Sequence, residues 1–181
     1  IQLVSFLSFM GFVIVFFQLH QNTQILFVFL GLITFFYAIP MGFKTPKNLR
    51  SIGGIKIYII AFIWAMTTAV LPVLESKLVL NMDHWILAVQ RTFIVIVLML
   101  PFEIRDLDKD QVHLSTIPQK IGTINTKLIG CALLGDSILI ELFKHQFNQN
   151  NFLTVCFIGV LSAVLLAKSR RQQGRYYAAF W

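Results

Sequence analysis

Asp106, Asp108 and Asp110 put three carboxylates within five residues of a chain that is otherwise overwhelmingly apolar. Arg105, Lys109 and Lys120 surround them. Like charges this close repel unless cations screen or bind them. A hard divalent metal is the simplest useful cation. Mg²⁺ prefers oxygen ligands and typically takes one or two carboxylates plus the phosphate oxygens of a substrate. On a helix, Asp106 and Asp110 stand at i and i+4 and share a face. On an extended strand all three aspartates share one. Either geometry holds a metal. A calcium loop of the EF-hand type also opens D-x-D-x-D, but it needs Gly at its sixth position and Glu at its twelfth. Those positions are Gln111 and Ile117, which excludes it. A solvated loop between apolar runs gives the same charge pattern and stays open as a reading.

The elements that position this cluster follow from composition. Of 181 residues, 57% are hydrophobic and 13% charged. A soluble domain is about half apolar and about a quarter charged, so the chain reads as a membrane protein. The length suits one domain spanning residues 1–181. The net charge of +7 does not point to nucleic acid, because the basic residues sit in short gaps between apolar runs. Cys131 and Cys156 lie inside apolar runs and read as packed core residues rather than a disulfide. The first 19 residues lack the basic start of a signal peptide, so they read as a membrane helix. The chain opens on Ile1, and Tyr176 to Trp181 is an aromatic run of the kind that enters a membrane. The expectation is a piece cut at both ends.

Six spans are expected, giving an all-α polytopic membrane helix bundle. They run over 1–19, 24–39, 55–74, 84–104, 124–143 and 152–167. The second is short of the roughly 20 residues a bilayer asks for. Pro72 is expected to bend or end the third. Alternating the gaps collects Lys44, Lys47, Arg50, Lys56, Arg105, Lys109, Lys120, Lys127, Lys168, Arg170, Arg171 and Arg175 on one side. Only Lys77 and Lys144 fall on the other. The richer side is cytoplasmic by the positive-inside rule. The Asp106 loop and the Lys44 loop are therefore both expected to face the cytoplasm, in a bacterial inner membrane.

Two charges, Arg91 and Asp136, lie well inside spans, away from their ends. Arg91 facing lipid at mid-depth costs on the order of 3 kcal/mol, so it is expected to face the bundle interior, and Asp136 carries a similar cost. Together they line a polar cavity below the aspartates, which makes Arg91 a candidate substrate contact. Alternatively they pair with each other or with backbone. His20, His84 and His145 read as interfacial. The 18 phenylalanines read as lipid-facing or core bulk, though they also suit a cavity for an isoprenoid.

The stretch Arg105-Asp106-x-x-x-Asp110, followed by Ser115-Thr116-Ile117-Pro118 and Lys120-Ile121-Gly122, resembles the second aspartate-rich motif of the UbiA-type intramembrane prenyltransferases. Tyr37, Pro40 and Phe43-Lys44 resemble that family's Y-x-x-P…L-K loop. The six spans match the family's third to eighth helices. The resemblance implies an enzyme that binds a prenyl diphosphate through Mg²⁺, lets diphosphate leave and transfers the allylic cation to a hydrophobic acceptor, aromatic or lipid. It implies Asp106 and Asp110 as Mg²⁺ ligands and Lys44 and Arg105 as diphosphate contacts. Lys120 becomes a further substrate contact and Tyr37 a wall of the site. Asp108 is supporting.

The chain departs from the family in two places. The first motif, N-x-x-x-D-x-x-x-D, belongs before the third helix and is absent from residues 1–181. Diphosphate and two aspartates leave a single Mg²⁺ site strongly negative, so the chain alone is expected to be inactive. Glu103 stands where many relatives carry Asn. A phospholipid-forming transferase of the CDP-alcohol type needs D-x-x-D-G-x-x-A-R, which is missing. The other class to weigh is a non-enzymatic polytopic protein such as a carrier, with Arg91 and Asp136 lining its path.

Overall fold

The computed structural model describes residues 2–39, 54–108, 116–145 and 148–170. Six apolar helices fill them, with no strand among the described residues. They are α1 (Gln2–Gln18), α2 (Gln21–Ala38), α3 (Ile55–Glu75), α4 (Met82–Arg105), α5 (Ile117–Glu141) and α6 (Gln149–Lys168). Helices α2 to α6 are each long and apolar enough to cross a membrane, and α1, with 17 residues, is shorter. The expected all-α polytopic bundle is the fold.

Successive helices run antiparallel, as cross-helix contacts show. The His20 backbone N–H donates to Glu75 Oε2 at 3.1 Å, tying the α1–α2 turn to the end of α3. Lys56 near the start of α3 meets Glu103 near the end of α4. Gln90 near the start of α4 bonds Ser137 and Glu141 at the end of α5. Lys127 on α5 reaches the end of α6, where its Nζ donates to the carbonyls of Ala167 and Ser169, each at 2.8 Å. Terminal carbonyls of a helix have no partner within it. Lys127 therefore caps α6, a local role beyond its place in the charge count.

The core lies among α3, α4, α5 and α6, built from Ile57, Ala61, Val97, Leu100, Ile104, Leu134 and Leu166. Gly130 lets three helices approach there. A Cβ on Gly130 would run into Leu166 Cδ2 and touch Leu100 Cδ1. Small residues at such crossings permit close backbone contact. In contrast, no residue of α1 is buried, and the phenylalanines of α1 and α2 are mostly outward.

Two helices are interrupted, each for a nameable reason. In α3, Met66–Val70 forms a widened, π-type turn just before Pro72. Proline has no N–H and crowds the preceding turn, and one wider turn absorbs both effects. Thr67 and Thr68 donate their hydroxyls to the carbonyls of Ile63 and Trp64 beside it. Pro72 thus neither ends nor stops the helix. In α5, Gly122 has φ 80° and ψ 165°, outside helical space. Only glycine adopts that backbone without strain. The fifth helix consequently starts seven residues before the expected Ile124, as one turn from Ile117, and redirects at Gly122. Thr126 Oγ1 donates to the Gly122 carbonyl at 2.7 Å and anchors the bend.

Candidate functional site

The end of α4 carries the charge cluster that the sequence singles out. The apolar stripe that holds α4 in the bundle runs on to its last turn, where Glu103 and Ile104 are buried. Arg105 closes the helix, and Asp106 leaves it with φ −87° and ψ 3°. Residues 106–108 form a single tight 3-10 turn rather than α-helix or strand. Arg105 grips Asp106 with both ends of its guanidinium: Nε to Oδ1 at 2.7 Å and a terminal nitrogen to Oδ2 at 2.8 Å. The guanidinium carbon also sits 5.3 Å from the centre of the Phe102 ring. Such a planar fork matches carboxylate and phosphate alike. Both side chains are about 30% exposed, so the pair opens outward rather than into the core.

Behind that pair stands a second one. Glu103 is 3% exposed, and Lys56 of α3 approaches its Oε1 at 3.9 Å. Four charged groups, two of each sign, thus gather at one end of the α3–α4 pair. In the sequence, Lys56 counts only among the cations and Glu103 only as a departure from a motif. The signal that could have joined them is the antiparallel pairing of consecutive spans, which sets the start of one helix beside the end of the next.

The other predicted residues distribute as follows. Lys44 and Asp110 lie outside the described residues, as does the side chain of Asp108. Lys120 is exposed on the first turn of α5, at the same end as Asp106. Tyr37 is half-buried near the far end of α2. The described packing of α2 is chiefly on the Leu71–Glu75 end of α3. Among the described residues no group of three or more His, Cys, Asp or Glu side chains gathers to hold a metal.

Arg91 and Asp136 do not face the interior as expected; both are exposed, and no ion pair joins them. The reason is helix phase. The buried stripe of α5 is Thr126, Gly130, Leu134, Ser137 and Glu141, and Asp136 lies off it on the outer face. Arg91 lies at the edge of the α4 stripe next to buried Gln90. Fourteen helical residues separate it from Arg105, about 21 Å along the axis. It therefore belongs to a different place.

That place is a notch of ≈ 340 Å³ at the opposite end of the bundle, where α4 begins, α5 ends and α6 begins. Its polar floor is a buried network. Gln90 Nε2 donates to the Ser137 carbonyl at 2.8 Å and to Glu141 Oε2 at 2.7 Å. Lys144 Nζ closes on the same carboxylate oxygen. Gln90 and Glu141 are almost fully buried. Gln90 Oε1 and Glu141 Oε1 have no hydrogen-bond partner among the described residues. The sequence carried a cue, since Glu141 lies within the expected fifth span and an intramembrane carboxylate is rarely idle. Comparison with family models, with curated proteins and with solved structures found no match to this chain.

Proposed function

We propose that the chain acts at the Asp106 end of the bundle as part of a membrane prenyltransferase, binding a prenyl diphosphate where Arg105 and Asp106 leave α4. The observation that supports this reading is the Arg105–Asp106 fork, half-open at a helix end and backed by Lys56 and Glu103. A guanidinium already presented in a planar, bidentate pose can pass from carboxylate to a phosphate of the same geometry. The carboxylate it releases can then turn to a cation.

The donor chemistry suits Mg²⁺ in kind: one or two carboxylates, with phosphate oxygens completing the shell. Asp106 would supply the first and Asp110 the second. When bound, the ion stabilises charge on the departing diphosphate. Arg105 orients the phosphates, and Lys56 and Lys120 add positive potential at the same end. Phe102 holds the guanidinium plane by cation–π contact. The apolar surfaces of the helices and the bilayer around them accept the isoprenoid chain. The cation-rich gaps favour a cytoplasmic position for this end by the positive-inside rule.

The test is Mg²⁺-dependent transfer from a radiolabelled prenyl diphosphate, with the protein expressed from its native gene. Asp106→Ala should abolish it and Arg105→Lys should weaken it. Wild-type turnover in Asp106→Ala would remove the assignment and leave the non-enzymatic reading, a carrier or bundle subunit.

A further inference from the structure

The notch at the other end has a composition of its own. Its rim is polar, with Asp83, His84, Lys144 and Asn151. Its walls are apolar, with Leu87, Ile94, Val155 and Ile158. A cleft that is wet above and greasy below fits an amphiphile rather than a sugar or a bare ion.

Charge decides the sign of its polar group. Glu141 is neutralised by Lys144. Asp83 keeps its negative charge, but its Oδ1 accepts from the His145 backbone N–H at 3.0 Å, which holds the carboxylate at the rim against the α5–α6 turn, two helical turns (about 12 Å along the axis) from Arg91. Arg91 remains: it lines the notch, it is exposed, and no hydrogen bond or ion pair ties its side chain to the described residues. It lies nine residues from the start of α4, about 14 Å along the helix. An unpaired guanidinium at that depth is costly in hydrocarbon and gains strongly from an anion held in the same cleft. The floor is built, since Gln90 and Glu141 are buried and fixed by their mutual hydrogen bond.

We propose that this notch binds a phosphate-bearing anionic amphiphile, with the phosphate on Arg91 and the apolar part against Ile94 and Val155. The chemistry is a phosphate ester carried on an apolar body, as in an anionic membrane lipid. The site is independent of the Asp106 end, so either reading can fail without the other.

The experiment places the chain in phosphatidylcholine nanodiscs and titrates in phosphatidylglycerol, counting retained lipid by native mass spectrometry. Wild type should retain phosphatidylglycerol preferentially, and Arg91→Gln should weaken that retention about tenfold, the effect of one lost charge-assisted bond of about 1.4 kcal/mol. Arg91→Lys should keep part of it. Ile94→Trp fills the notch with the charge intact and should also displace the lipid, which keeps the test decisive if Arg91→Gln does not fold. A parallel arm adds inorganic phosphate: full displacement of the lipid at millimolar concentration shows that phosphate alone is held and overturns the amphiphile, and retention of the lipid supports it. Equal phosphatidylglycerol retention by wild type, Arg91→Gln and Ile94→Trp overturns the proposal.

Discussion

An ion pair of common residues stands at each end of α4, one on the helix itself and one at the end of α5 packed beside it, and the two are opposites in their surroundings. At one end, Arg105 and Asp106 are sequence neighbours, both about 30% exposed, forked together as they leave the helix. At the other, Glu141 is fully buried, Lys144 is 10% exposed, and Gln90 of a different helix shares the carboxylate. An exposed pair contributes little to stability because water and salt screen it. A buried pair holds its charges hostage: remove one partner and the other is stranded in a medium that solvates it poorly. The exposed pair can exchange partners at little cost, as a substrate site requires. The buried pair cannot, and it fixes how α4 meets α5.

The largest effect should come from stranding the buried charge. Glu141→Ala strands the Lys144 ammonium and leaves Gln90 Nε2 with the Ser137 carbonyl alone, and should cost about 3–5 kcal/mol of stability. The measurement is the thermal or SDS unfolding midpoint in a fixed detergent. A midpoint unchanged by Glu141→Ala breaks the comparison at its stronger side.

Next is the opposite pattern at the other end. Asp106→Ala should lower the proposed prenyl transfer at least about a hundredfold, the scale seen when one electrostatic contact to a reacting group is removed. Its unfolding midpoint should move by less than about 1 kcal/mol. Asp136→Asn, exposed and outside both clusters, should leave transfer within about twofold. A large stability loss in Asp106→Ala would mean that the two ends do not differ as described.

Gly130 tests whether the α4–α5–α6 crossing is rigid. Leu at that position must displace Leu166 and Leu100, and should cost about 1–3 kcal/mol by overpacking. Gly135, with open space around its Cβ position, is the control and should accept Ala with little loss. Equal midpoints for Gly130→Leu and Gly135→Ala would show that the crossing yields.

The smallest effect is expected at Lys56. Its 3.9 Å approach to Glu103 is at the outer limit of an ion pair, and Lys56 is 28% exposed. Lys56→Met should cost about 0.5–1 kcal/mol, read as the same midpoint. A loss as large as that of Glu141→Ala would place Glu103 in the same class as Glu141.

The sequence by itself determined the class and the layout. Long apolar runs broken by short charged gaps leave few options in a bilayer, because every backbone group must be bonded within the span. That is why five of the six helices lie within three residues of where hydropathy puts them, the fifth alone starting seven residues early, and why Asp106 falls where α4 stops. Tertiary structure decided which face of each helix is inside. Periodicity is weak when nearly every residue is apolar, so it did not show that Arg91 and Asp136 look outward or that Gln90 and Glu141 look in. Nor could spacing alone show that Pro72 is absorbed by a wider turn, or that Gly122 bends a helix whose first turn begins before it. The notch depends on three chain segments, around residues 83–94, 141–144 and 151–158, brought together by antiparallel packing. Long-range pairing of that kind is fixed by how small and large side chains interlock at Gly130, Leu100 and Leu166, and a linear reading contains those residues without their contacts.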